Sequence, residues 1–88
     1  MKLIPSPNPK KKWRAIFENK HTDFGDSTAE DYTQHKDKER RDRYRKRHEK
    51  DLKTNDPTRA GYLAYFLLWG DSVNLKTNLS NYKKMYNL

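Results

Sequence analysis

Cysteine is absent from the 88 residues. That excludes a disulfide framework and a thiolate metal site, and it suits assembly in a reducing compartment. Glycine is limited to three residues spread along the chain, so no glycine-rich phosphate loop can be built. Apolar residues are scarce at 32%, while 36% of residues are charged. A chain this short leaves much of its surface in water and is marginal by itself. No apolar run approaches the roughly 20 residues needed to cross a bilayer. Met1-Lys2-Leu3-Ile4-Pro5 lacks the apolar core of a secretory leader. His21, His35 and His48 are scattered, and the last two stand thirteen apart, which matches no zinc-ligand pattern. Asp37, Glu39 and Asp42 alternate with arginines that hold them as ion pairs rather than as acids or bases. The residues therefore suggest no enzyme, no cofactor, no metal and no small-molecule substrate. Synthesis in a cytoplasm is expected.

Two features stand against these absences. Eleven aromatic residues (two Trp, six Tyr, three Phe) supply the burial that aliphatics do not, which argues against disorder. The net charge is +8, carried as +5 in residues 1–14, −3 in 15–30, +4 in 31–53 and +2 in 54–88. Such a chain is drawn to nucleic acid, anionic lipid or an acidic protein face.

The one long apolar run is Ala60-Gly61-Tyr62-Leu63-Ala64-Tyr65-Phe66-Leu67-Leu68-Trp69. It predicts a helix over about 58–69, started by Asp56-Pro57-Thr58 and ended by a left-handed Gly70. On a helical wheel Tyr62, Phe66 and Trp69 form one stripe that Leu63, Leu67 and Leu68 widen, so the helix needs cover nearly all round. Residues 1–12 predict an extended proline-lysine arm, with Pro5, Pro7 and Pro9 followed by Lys10, Lys11 and Lys12. Residues 12–25 predict a β-hairpin. A two-residue Asn19-Lys20 loop, with Asn19 at positive φ, would set Phe17 opposite Thr22 and Ala15 opposite Phe24, with Trp13 on the same face and Gly25 closing the second strand.

After a polar link, residues 32–53 predict one long charged helix, its start marked by the capping-box spacing of Ser27 with Glu30 or of Asp31 with Gln34. Its supports would be the i,i+4 pairs Asp37–Arg41, Glu39–Arg43, Asp42–Lys46 and Glu49–Lys53, over a thin stripe of Tyr44, His48 and Leu52. Leu75, Leu79, Tyr82 and Tyr86, with Met85 beside them, predict an amphipathic helix over about 74–86 whose stripe joins the core. The expected fold is small α+β: an arm over 1–12, then a single domain over 13–88 of hairpin, charged helix, buried apolar helix and C-terminal helix.

A set of short motifs carries a resemblance. It comprises Asp23-Phe24-Gly25, Asp31-Tyr32-Thr33-Gln34-His35-Lys36-Asp37, Arg40 with Arg43-Tyr44 and Arg47-His48, Asp56-Pro57-Thr58 with Gly61, Leu67-Leu68-Trp69, and Asn78-Leu79-Ser80 with Tyr82-Lys83-Lys84. Over roughly residues 12–88 the chain resembles a family of small basic proteins encoded by nucleocytoplasmic large DNA viruses, including those that infect algae. It departs from that pattern at Lys20, where the family usually has glycine. The resemblance implies a protein carried in the virus particle, with no catalytic residue to transfer. On that basis the chain is expected to be a minor capsid or cement component that bridges major capsid proteins.

The residues expected to meet capsid or another acidic surface are Lys10, Lys11, Lys12, Arg40, Arg43 and Arg47. Tyr62, Tyr65, Phe66 and Trp69 are expected to dock apolar area on the partner, because the core looks too small to shelter them. The alternative is a nucleic-acid-binding or packaging protein in which the same cations neutralise phosphates. A membrane surface ranks below both.

Overall fold

The first strand lies in the stretch expected to be an extended arm outside the domain. A computed structural model describes residues 1–88. In it β1 (Lys2–Pro5) pairs antiparallel with β2 (Lys11–Ile16), which pairs antiparallel with β3 (His21–Asp26), giving a sheet of order β1-β2-β3. Leu3 faces Ala15 and Pro5 faces Trp13. The prolines do not prevent this. Pro5 ends an edge strand, where no neighbour needs its missing amide. Pro7 and Pro9 lie in a turn that their polar neighbours build: Ser6 Oγ accepts from Asn8 N (3.1 Å) and Asn8 Oδ1 accepts from Lys10 N (2.9 Å). The arm is thus part of the domain.

The hairpin forms with its register two residues away from the expected one. Ala15 faces Thr22 and Trp13 faces Phe24. Phe17 N donates to Lys20 O (2.8 Å), which leaves Glu18 and Asn19 in the turn, and Asn19 is not at positive φ. A shift of two preserves the pleat, so the same side chains still share a face. Ala15 and Phe24 are fully buried there. Gly25 sits inside β3 rather than after it, at φ +84°, where a Cβ would lie 2.8 Å from Leu68 Cδ1. On the other face Arg14 donates to both oxygens of Asp23 (2.7 and 3.0 Å), and these bonds hold the Asp23 carboxyl below its ordinary range.

The single long charged helix is in fact three pieces. α1 (Tyr32–His35) carries the Asp31–Gln34 capping box and stops at Lys36, which is left-handed at φ 60°. α2 (Lys38–His48) restarts on Asp37, whose carboxylate accepts from Glu39 N and Arg40 N, and a 3-10 segment (Glu49–Thr54) follows. None of the four expected i,i+4 ion pairs forms; the pairs present are Lys12–Asp31, Arg14–Asp23, Arg41–Asp42, Arg45–Asp71, His48–Asp51 and Arg59–Asp56. Asp37 is consumed as a cap, and Arg41 turns inward.

α3 (Ala60–Leu63) continues as a π turn (Ala64–Leu68). Asp56 does not cap it. That carboxylate closes a local turn onto Thr58 N (2.9 Å) and Thr58 Oγ1 (2.6 Å), and the helix begins later at Ala60. Trp69 N donates to Ala64 O, a five-residue step. The π turn holds more residues than an α turn, so the expected Tyr62–Phe66–Trp69 stripe splits. Tyr62 and Phe66 face Tyr82 and Tyr86 of α4 (Leu75–Tyr86), whereas Trp69 swings to Tyr44 of α2 and His35 of α1. Gly70 is not left-handed. It is glycine for space, since a Cβ there would collide with Phe66 O and approach the Asn78 side chain to 2.9 Å.

Ala15, Phe24, Tyr62, Leu63, Leu67, Leu68 and Tyr82 form the core. Sheet, 3-10 segment and α4 surround the apolar helix, so its own chain covers it. Among large hydrophobics only Val73 and Met85 are more than a third exposed, at 38% and 56%. Met85, expected in the core, lies outside it, because the inward face of α4 is filled by Leu75, Asn78, Leu79 and Tyr82.

Candidate functional site

The arginines of α2 divide into two sets by helical phase. Arg41 and Arg45, four apart, turn inward with Tyr44 and His48. Arg41 is 8% exposed, stands 4.9 Å over the Tyr32 ring and donates to Asp42 Oδ1. Arg45 donates through Nε to Trp69 O (2.7 Å) and through its guanidinium to Asp71 Oδ1 (2.9 Å), beside the Tyr65 ring. These two are structural clamps.

Arg40, Arg43 and Arg47 fall within about 60° of one another on the helix, from the 3.6-residue turn, and all three are exposed. With Lys46 and Trp69 they line an open cleft of about 300 Å³. None of the four cations makes an ion pair within the chain. No acidic residue lines the cleft. Of the carboxylates beside the row, Asp37 is engaged as the cap and Asp42 with Arg41, while Glu39, next to Arg40, is exposed and pairs with none of the arginines. Helix neighbours three or four apart have Cβ atoms about 5–6 Å apart, so the like charges are gathered on one side of the helix and repel one another. An anion in the cleft would relieve that repulsion.

The floor of the cleft is braced. Trp69 stacks on Tyr44 at 4.2 Å and 7°, Tyr44 stacks on His48 at 4.2 Å and 25°, and His35 lies 5.3 Å from the indole. Burial pushes the Tyr44 phenol up to about 12, with the nearby Asp51 charge a smaller cause. His35 Nδ1 accepts from Asp37 N (2.8 Å), tying the floor to the cap of α2, and its Nε2 is buried without a partner.

The other expected site residues are dispersed. Lys12 points inward, its Nζ 2.7 Å from Asp31 Oδ2 and 2.6 Å from Gln34 Oε1. Lys10 and Lys11 remain exposed on a separate shallow surface with Asp26, Ser27 and Thr28. Tyr62 is buried, with its hydroxyl on Leu52 O (2.7 Å); Tyr65, Phe66 and Trp69 are half-buried against neighbours of the same chain. The four do not form one apolar docking face. Sequence reasoning missed Arg41, Arg45 and Asn78. The signal for the arginines was available in their spacing, because 41 and 45 share the phase of Tyr44 and His48. No group of histidines and carboxylates is arranged to hold a metal ion.

Fold and site together define a small α+β protein with a cationic, aromatic-floored cleft on one helix. The chain belongs to a family of unknown function (DUF5754), whose model matches residues 1–48. The match spans the whole sheet, α1 and α2, and so includes the arginine row and the first eleven residues. Neither the curated proteins nor the solved structures compared with this chain include a match.

Proposed function

We propose that this protein binds nucleic acid by its phosphates, through Arg40, Arg43, Lys46 and Arg47. The supporting observation is the cleft itself, with four exposed cations, no ion pair among them and no acid in the lining. Guanidinium groups suit phosphate because they donate in a planar fork. The test is fluorescence anisotropy with a labelled DNA duplex across a salt series. Three to four phosphate contacts give a log–log slope of about −2.7 to −3.6, so affinity falls roughly 40- to 150-fold between 50 and 200 mM salt. The triple variant R40Q/R43Q/R47Q should lose most of that slope. K53Q/K76Q/K84Q, which removes the same charge from other exposed positions, should keep it. Equal binding by the two triple variants overturns the proposal.

In the virus particle implied by the resemblance, the same cleft could instead meet an acidic face of a major capsid protein, as a minor capsid or cement component would. That reading drew its force from apolar area without cover, and the self-covered core weakens it. Crosslinking from Lys46 in purified particles separates the two, by linkage to DNA or to capsid protein.

A further inference from the structure

The inference here rests on the nucleic-acid reading and narrows it. We infer that the polymer is double-stranded and is held by its phosphate backbone alone, without base stacking or base-edge readout. Proteins that hold single strands present aromatic rings on which successive bases stack. The cleft contains one ring, Trp69, with one face taken by Tyr44, so it offers no run of platforms for successive bases. Its indole lies flat on Tyr44 at 4.2 Å and 7°, and His35 stands 5.3 Å away. Tyr44 cannot substitute, since Trp69 and His48 stack on its two faces. The other aromatic residues are buried or half-buried, and none of them lines this cleft.

The charges point the same way. Arg40 and Arg47 are separated along the helix axis by about 10.5 Å, from a 1.5 Å rise per residue. A duplex presents about six phosphate charges over that length, at one per 1.7 Å. A row of arginines carried on one rigid helix matches such a rigid array, whereas a single strand must first be ordered to meet it. Glu39 and Asp42 border the row on the solvent side of α2. They would lie against phosphate if the helix entered a groove. The row therefore lies on the outside of the duplex, where contacts set position but carry no sequence information.

The experiment uses the full chain and three labelled probes at about 100 mM salt: two duplexes of about 20 base pairs with unrelated sequences, and an oligo(dT) strand of the same length. The two duplexes should bind within about threefold of each other, and the single strand at least tenfold more weakly, with little change in tryptophan emission. If oligo(dT) binds as tightly as the duplexes and quenches the tryptophans, the inference is overturned while the phosphate reading stands. A preference of more than tenfold for one duplex overturns the backbone-only part. Absence of binding to all three probes at about 50 mM salt overturns the nucleic-acid reading itself.

Discussion

Asn78 gives the sharpest test of how the cleft is supported. It sits on α4, 3% exposed, and its amide closes three hydrogen bonds: Nδ2 to Leu67 O (3.0 Å), Nδ2 to Ser72 O (2.8 Å), and Oδ1 from Ser72 N (3.1 Å). These bonds join the end of the π turn to the loop after Trp69, and so set where the indole lies. Asn78→Leu keeps the volume and removes all three. Each bond contributes about 0.5–1.5 kcal/mol net, and the orphaned, buried Leu67 carbonyl costs about 1–3 kcal/mol more. Ser72 is only half-buried and can turn to water, which trims the total to about 2–4 kcal/mol. For a domain of this size that lowers Tm by about 10–25 °C.

Asn78→Asp sharpens the test. It keeps the acceptor for Ser72 N but turns a carboxylate oxygen toward two carbonyls. Its folded pKa must then lie above the unfolded value near 3.9. Stability from such a raised group is complete below the unfolded pKa and is lost as pH rises through the folded one. The aspartate variant should therefore recover stability on acidification, and the leucine variant should not. Urea and thermal unfolding, followed by circular dichroism at pH 4 and pH 7, measure both. A loss under about 0.5 kcal/mol for Asn78→Leu, or an aspartate variant indifferent to pH, would refute the reasoning.

Two further outcomes are expected. Gly25→Ala places a Cβ at φ +84° and 2.8 Å from Leu68 Cδ1, so strain and overpacking should cost about 2–4 kcal/mol in urea unfolding; a change within 0.5 kcal/mol would show that sheet and helix are not so closely apposed. Phenolate absorbance on raising pH should show the tyrosines ionising in stages. Tyr44 is held up to about 12 by burial, and Tyr82 and Tyr86 are raised by burial and by neighbouring tyrosines. Because these folded values are raised, their stabilising share is complete below about pH 10 and is lost between there and pH 12 and beyond. Six tyrosines titrating together near 10 in the folded protein would contradict the stacked floor.

Much of the fold was legible because it rests on local rules. The Asp31–Gln34 capping box, the shared face of Trp13, Ala15 and Phe24, and the α4 stripe all follow from spacing. The boundaries that failed were those where two local signals competed. At Lys36-Asp37 a strong N-cap outweighed the helix propensity and charge pairs of residues 32–53. At residues 5–9 the proline pattern suggested an extended arm outside the domain, although an edge strand tolerates proline. The binding residues were half legible. Arg40, Arg43 and Arg47 stood out as a row, but Lys10, Lys11 and Lys12 were grouped with them on charge alone, and Lys12 proved to be the partner of Asp31.

The sequence by itself settled the class: basic, cysteine-free, small α+β, with one apolar helix that had to be covered. Side-chain type and periodicity carry that much, because burial and capping act over a few residues. Only the tertiary structure decided what covers the helix and which ring floors the arginine row. Both depend on the π turn, which rotates Trp69 away from Phe66 and onto Tyr44. That placement gives Arg45 the Trp69 carbonyl as a partner and sets the indole in the cleft of Arg40, Arg43 and Arg47, which helical phase already turns to water.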